Sequence, residues 1–484
     1  MWFIFWILAI VCGFLVRFVS ESSGLSLFFI SIVSGIVIFA YLIDNWREKK
    51  NFSSICYVLF FLLVFVFRGI VLSFYPDTSY KPDYINFDVL MLAMLYALSG
   101  LGFFLLGFHL KRNSITVERW GRYIFDRKFS ISGLYLCSII GVSSQFLQSL
   151  LCFSDSPIFS ILNSIPSQIG YLGLFSTLIL LFEREEIKKF RLIFCSLCLL
   201  IYLSGSLVMG MREPLIITFL MICSCLFLTK SVRDTLRNKY FLLLVIIIIS
   251  LFAFLWPVMS VYKGYSGSSV ISLSGKERIE GSIQLYKSIF SDKISIETSD
   301  MWISSFVGLS RRSGSALDFL SLLIARTPEV WNFQYGRTFL LGPLAIIPRA
   351  LWHNKPRTNL GGKFYAEYLG YKQPYGRGGA GYTTIGDFWI NFHVPGIVIG
   401  MFLFGIFVKI VQIFCVGSKF DRKRIAGIVF LIAITIVLVR QTRSISGIIS
   451  SLVSMSALPL FFLLFIGKRK YRSKKSSKCA ESSV

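Results

Sequence analysis

The chain has 484 residues, 55% of them hydrophobic and 16% aromatic, with 48 phenylalanines and only 15% charged positions. That composition excludes a water-soluble globular protein and a disordered one. The formal net charge of +25 would point to nucleic acid in a soluble chain. Here it belongs with the loop charges of a membrane protein, so no nucleic-acid partner is expected.

Apolar runs long enough for the roughly 30 Å hydrocarbon core recur along the chain. They predict an all-α integral membrane protein of about 12 transmembrane helices, near residues 1–18, 24–43, 55–74, 87–108, 130–152, 165–182, 190–209, 214–228, 240–258, 394–416, 425–443 and 448–466. The first run lacks a charged leading region and a small-residue cleavage signal, so it is expected to be retained.

Loop charges support this count. One set of alternate loops carries Arg47, Lys49 and Lys50; Lys111 to Lys128; Arg184 to Arg191; Lys230 to Lys239; Lys419 to Arg424; and the tail from Lys468. The other set offers only Arg17, Lys81, Arg212, Arg440 and Arg443. By the positive-inside rule both termini are cytoplasmic and the long stretch 259–393 is external. The predicted organisation is a bundle over 1–258, a large external loop over 259–393, further spans over 394–466, and a basic cytoplasmic tail over 467–484. Within the loop, 279–290 and 317–325 have apolar residues at helical spacing. Both are too short to cross and are expected to lie on or dip into the outer leaflet.

Ten cysteines occur, mostly inside apolar runs, and none lies between Leu226 and Phe414, so no disulfide framework holds the loop. Cys195-x-x-Cys198 reads as packing. Gly396-x-x-x-Gly400 reads as a close helix contact.

Candidate chemistry gathers between Tyr335 and His393, which holds ten glycines and Arg337, Arg349, Lys355, Arg357, Lys363, Lys372 and Arg377. Arginine grips phosphate with two parallel N–H groups and keeps its charge in a partly dry site. A basic loop can also simply rest on anionic lipid. Arg311 and Arg312 extend the cluster upstream. Arg68, inside the third span, faces a cavity or partner, or else snorkels to the interface. Arg212 stands in a short turn at the mouth of the bundle. Histidine is the residue type that most often serves as a general base, which makes His353 and His393 candidates; for His393 an interfacial hydrogen-bonded role competes. Asp387 is a base, a sugar-hydroxyl acceptor or a helix cap. The chain has no phosphate-binding GxxxxGK[ST] loop, no His/Cys set at zinc spacing and no Asp-x-Asp in the loop, so neither metal nor cofactor is expected.

The run YGRTF, then PRALWHNKP, then GRGGAGYTTIGDFWINF leading into a span resembles the bacterial O-antigen polymerases, Wzy-type polymerases of oligosaccharide repeat units, over about residues 336–400. The resemblance implies a GT-C-like glycosyltransferase of the inner (cytoplasmic) membrane working on undecaprenyl-diphosphate-linked oligosaccharide. It implies a lipid bilayer setting and admits a chain-length regulator protein as partner. His353 or Asp387 would then be the catalytic base, and Arg212, Arg337, Arg349, Arg377 and Arg68 would hold the diphosphate. Trp352, Tyr365, Tyr375, Tyr382 and Trp389 would stack on sugars. Such enzymes commonly carry Glu and Gly where this chain has Asp387 and His393. An O-antigen ligase and a lipid-linked oligosaccharide flippase are the competing readings.

Overall fold

A computed structural model describes residues 23–45, 48–76, 86–110, 115–150, 157–182, 189–208, 213–229, 315–345, 352, 383–421, 424–439 and 444–469. The expected spans at 1–18 and 240–258 and the short helix at 279–290 lie outside the described residues.

The described residues are helical apart from turns and one short strand pair. In chain order they form α1 (Ser23–Asn45), α2 (Phe52–Phe61), a π-helical turn (Leu62–Val66) and α3 (Phe67–Phe74). Then come α4 (Phe87–His109), α5 (Ile115–Phe125), β1 (Arg127–Phe129), α6 (Ile131–Leu150), α7 (Pro157–Phe182), α8 (Lys189–Val208) and α9 (Glu213–Thr229). After the undescribed stretch follow α10 (Ser315–Arg326), α11 (Arg337–Ala345), α12 (Thr384–Val416), α13 (Ile425–Leu438), α14 (Ile445–Ile466) and β2 (Gly467–Arg469). Antiparallel β1 and β2 pair Arg127 with Arg469.

Among the described residues four segments are long and apolar enough to cross a membrane: Gly24–Asn45, Lys49–Phe74, Phe87–His109 and Thr384–Val416. The outward faces agree. On α1 the exposed residues Leu25, Phe29, Ile32, Ile36, Phe39 and Ile43 recur every three or four positions. A stripe so apolar would be unfavourable against water and is stable against lipid. Polar groups turn inward instead: Ser53 meets Gln412 and Thr435 (both 3.0 Å), and the Tyr41 hydroxyl meets Ser54 (2.9 Å) and His109 (2.8 Å). A polar interior under an apolar surface is what a helical protein needs in hydrocarbon.

α4 and α12 approach most closely where Gly107 lies on the Phe402 backbone and Gly405 on the Phe104 backbone; a β-carbon at either would run into a carbonyl oxygen. α12 is two helices in one. Phe392 (φ −142°, ψ 20°) and His393 (φ 57°, ψ −147°) break it, with Pro395 just beyond. The short first part folds back, so the Phe388 ring sits over Gly400 and its carbonyl over Gly396. The Gly396/Gly400 pair therefore makes the expected close helix contact, its partner being the short helix that precedes it in the chain. The span expected over 394–416 is the second part.

Residues 317–325 form the expected short helix, and its burial narrows the two expected placements to one. α10 does not lie on a surface: Ala316 to Leu323 are all buried, packed against α4, α3 and the π turn. Asp318 in its first turn explains why, since it has a partner inside the bundle.

Candidate functional site

The break in α12 leaves carbonyls without helical partners, and the segment before α11 supplies one: Gln334 N–H donates to Ile390 O (2.8 Å). Two residues on, Gly336 N–H donates to Asn391 Oδ1 (2.7 Å). Thr338 Oγ1 donates to Asp387 Oδ1 (2.6 Å), and Asn391 Nδ2 lies 2.5 Å from Thr338 Oγ1 and 2.6 Å from the Asp387 carbonyl. The other carboxylate oxygen, Asp387 Oδ2, accepts from Ile445 N–H (2.8 Å) at the start of α14, where the helix dipole favours an anion. Thr338, Asp387 and Asn391 have no solvent exposure. Three stretches far apart in sequence thus meet at one dry polar knot.

The knot accounts for Asp387. Both its oxygens are taken and no face is open to a substrate, so the geometry assigns it to structure and not to the base role. It is not the cap of α12 either; Thr383 is, accepting from Gly386 N–H (2.7 Å).

Around the knot lies an aromatic file. Tyr96 stacks on Trp389 (centroids 5.0 Å apart), Trp389 lies 4.2 Å from His393, His393 meets Phe333 edge-on at 5.6 Å, and Phe333 lies 6.3 Å from Tyr335. Trp389 is 3% exposed, so it backs this file and lacks the open face that the expected sugar stacking needs, which corrects that expectation. Tyr335 is 76% exposed, and His393 is exposed too. Arg337, also exposed, starts α11. A cation at a helix N-terminus is opposed by the dipole, so the local helix does not explain it. Trp352 is exposed.

Arg68 is elsewhere. Its guanidinium is fully buried and holds Asp318 at two points, Nε to Oδ1 at 3.1 Å and Nη2 to Oδ2 at 2.8 Å. This corrects its assignment to the diphosphate: the charge faces a protein partner. His353, Arg212, Arg349, Arg377, Tyr365, Tyr375, Tyr382, Arg311, Arg312 and Arg357 lie outside the described residues. Among the described residues no group of three or more His, Cys, Asp or Glu side chains is placed to hold a metal ion.

Sequence reasoning missed Thr338, Asn391 and Asp318. Asn391 stands four residues after Asp387, one helical turn away, a spacing that would have paired them. Asp318 is a lone acid in an apolar run, as Arg68 is a lone base in another.

A second polar cluster lies where α5 meets the end of α12. Glu118 accepts from Ser418 Oγ (2.7 Å) and Arg122 Nη2 (3.0 Å). The Ser418 hydroxyl, with help from Arg122 and Arg424, holds the Glu118 carboxyl below its ordinary value despite partial desolvation.

No curated protein and no solved structure matches the chain. Residues 139–416, more than half of it, match a family described as Domain of unknown function (DUF8712). That stretch includes α10, α11, the knot residues Thr338, Asp387 and Asn391, and the whole of α12, and by it the chain belongs to that family.

Proposed function

We propose that this is a membrane glycosyltransferase of GT-C-like architecture with about 12 spans. It joins undecaprenyl-diphosphate-linked oligosaccharide repeat units into a surface polysaccharide on the outer face of the bacterial inner membrane. Both termini are cytoplasmic in this reading. Transfer needs fixed positive charge at the leaving diphosphate, and arginines supply it without a metal.

One observation carries the reading. The knot pins the start of α11 to the start of α12 in one region of an apolar bundle, and the sequence between these two helices is the basic one that carries Arg349, His353, Arg357 and Arg377. Exposed Arg337 and an aromatic file stand at that junction. A cationic sequence flanked by that junction suits a substrate with a lipid tail, an anionic linker and a sugar head.

The test is deletion of the gene, followed by gel analysis of the surface polysaccharide. Caps of a single repeat support the polymerase; loss of all caps makes it a ligase; precursor accumulating on the inner face makes it a flippase.

A further inference from the structure

Stability does not explain the residue at position 393. Its φ of 57° with ψ of −147° is a backbone conformation that glycine holds freely and that strains any residue with a β-carbon. Glycine would serve the helix break better than histidine. Hydrogen bonding does not explain it either: the ring is exposed, and its nitrogens bond to no described residue.

The surroundings bear on this. Tyr335, the exposed end of the aromatic file, also has a left-handed backbone (φ 46°). Two strained non-glycine residues therefore stand on the two segments that the Gly336–Asn391 and Gln334–Ile390 bonds fasten together. Strain of this kind concentrates at ligand clamps. Beside His393, the Trp389 indole N–H is buried and has no partner among the described residues, although buried donors normally find one. The Trp389 and Phe333 rings, 4.2 and 5.6 Å away, limit how the imidazole turns.

We propose that His393 is a catalytic residue, the group that takes the proton of the attacking sugar hydroxyl, with Tyr335 and Phe333 as the surface on which that sugar stacks. This rests on the glycosyltransferase reading. The hydroxyl oxygen bonds to the anomeric carbon of the growing chain as the bond from that carbon to the diphosphate oxygen breaks. The electron pair leaves with undecaprenyl diphosphate, and the proton passes to a ring nitrogen of His393 and on to water.

The experiment uses the full chain in nanodiscs with undecaprenyl-diphosphate-linked repeat units extracted from cells lacking the protein. His393→Gly relieves the strain while deleting the imidazole. It is expected to unfold no earlier than the unsubstituted protein, to polymerise at least ~10²-fold more slowly, and to regain activity when imidazole is added. His393→Gln is expected to be equally slow. Polymerisation by His393→Gly at the unsubstituted rate, or a loss that imidazole does not restore, overturns the assignment and leaves the polymerase reading standing. No polymer from the unsubstituted protein overturns that reading, and the assignment with it.

Discussion

Arg68 and Asp318 stand 250 positions apart and form a two-point ion pair with no solvent exposure on either side chain. A lone arginine in hydrocarbon costs at least ~2.5–3.5 kcal/mol. The pair offsets that cost and draws α10, part of the stretch expected outside the membrane, into the bundle beside α3. The π turn of Leu62–Val66 immediately precedes α3 and contacts α10 as well.

Removing one partner takes the two-point contact away from the other charge, which stays buried. Arg68→Ala and Asp318→Ala should each destabilise the protein by about 3–5 kcal/mol. The double replacement Arg68→Met with Asp318→Leu should recover most of that loss, since two apolar side chains need no pairing. Thermal unfolding in detergent, with tryptic release of α10, measures both. Equal losses in the single and double variants would mean that the charges do not act as a pair.

Asp387→Asn separates scaffold from base. The new amide can still accept from Thr338, but its NH₂ meets the Ile445 N–H donor to donor. Leaving that pair unsatisfied should cost about 1–3 kcal/mol and lower the amount of folded protein in membranes. Activity per folded molecule should stay within a few fold. An inactive Asp387→Asn protein at full stability would restore the carboxylate to the chemistry.

The membrane frame was legible because lipid rewards a plain pattern, long apolar runs, and among the described residues eleven helices overlap ten of the expected spans. What escaped sequence reading depends on partners far away. Asp387 stands before an aromatic run like a site carboxylate, and only the approach of Thr338 and the α14 N-terminus makes it a knot. Arg68 looked like a cation awaiting a phosphate because Asp318 is 250 positions downstream. Position 393 is the converse: the resemblance expected a glycine there, and the left-handed φ shows why glycine suits the break.

The Glu118 latch should depend on pH. Its carboxyl is held below the ordinary 4.5, so the folded state favours the charged form. The contribution is therefore complete above that value and is lost as pH falls through the lowered one. Protection of the α5 amides, relative to the intrinsic exchange rate at each pH, should fall in acid, and Glu118→Gln should show the lowered protection already at neutral pH. A Glu118→Gln protein with undiminished protection, or an α5 equally protected at pH 3 and 7, would show that the latch contributes nothing.

Arg337 distinguishes a diphosphate grip from simple attraction to a lipid surface. It is exposed, stands at a helix N-terminus that opposes its charge, and has no ion pair or side-chain hydrogen bond to a described residue. If its guanidinium grips the leaving diphosphate, Arg337→Lys should lose most activity, because one ammonium cannot reproduce a planar two-pronged contact. Arg337→Gln should cost on the order of 10²–10³ in rate, the usual effect of deleting a transition-state donor. If Arg337 only attracts anionic lipid, lysine should replace it fully, since each basic group then contributes ~1 kcal/mol whatever its shape. Neither change should alter unfolding, because the side chain supports nothing described around it. Polymerisation rates of the two variants in nanodiscs, at matched protein and with unfolding checked, decide the matter; a lysine variant as fast as the unsubstituted protein would remove Arg337 from the diphosphate site.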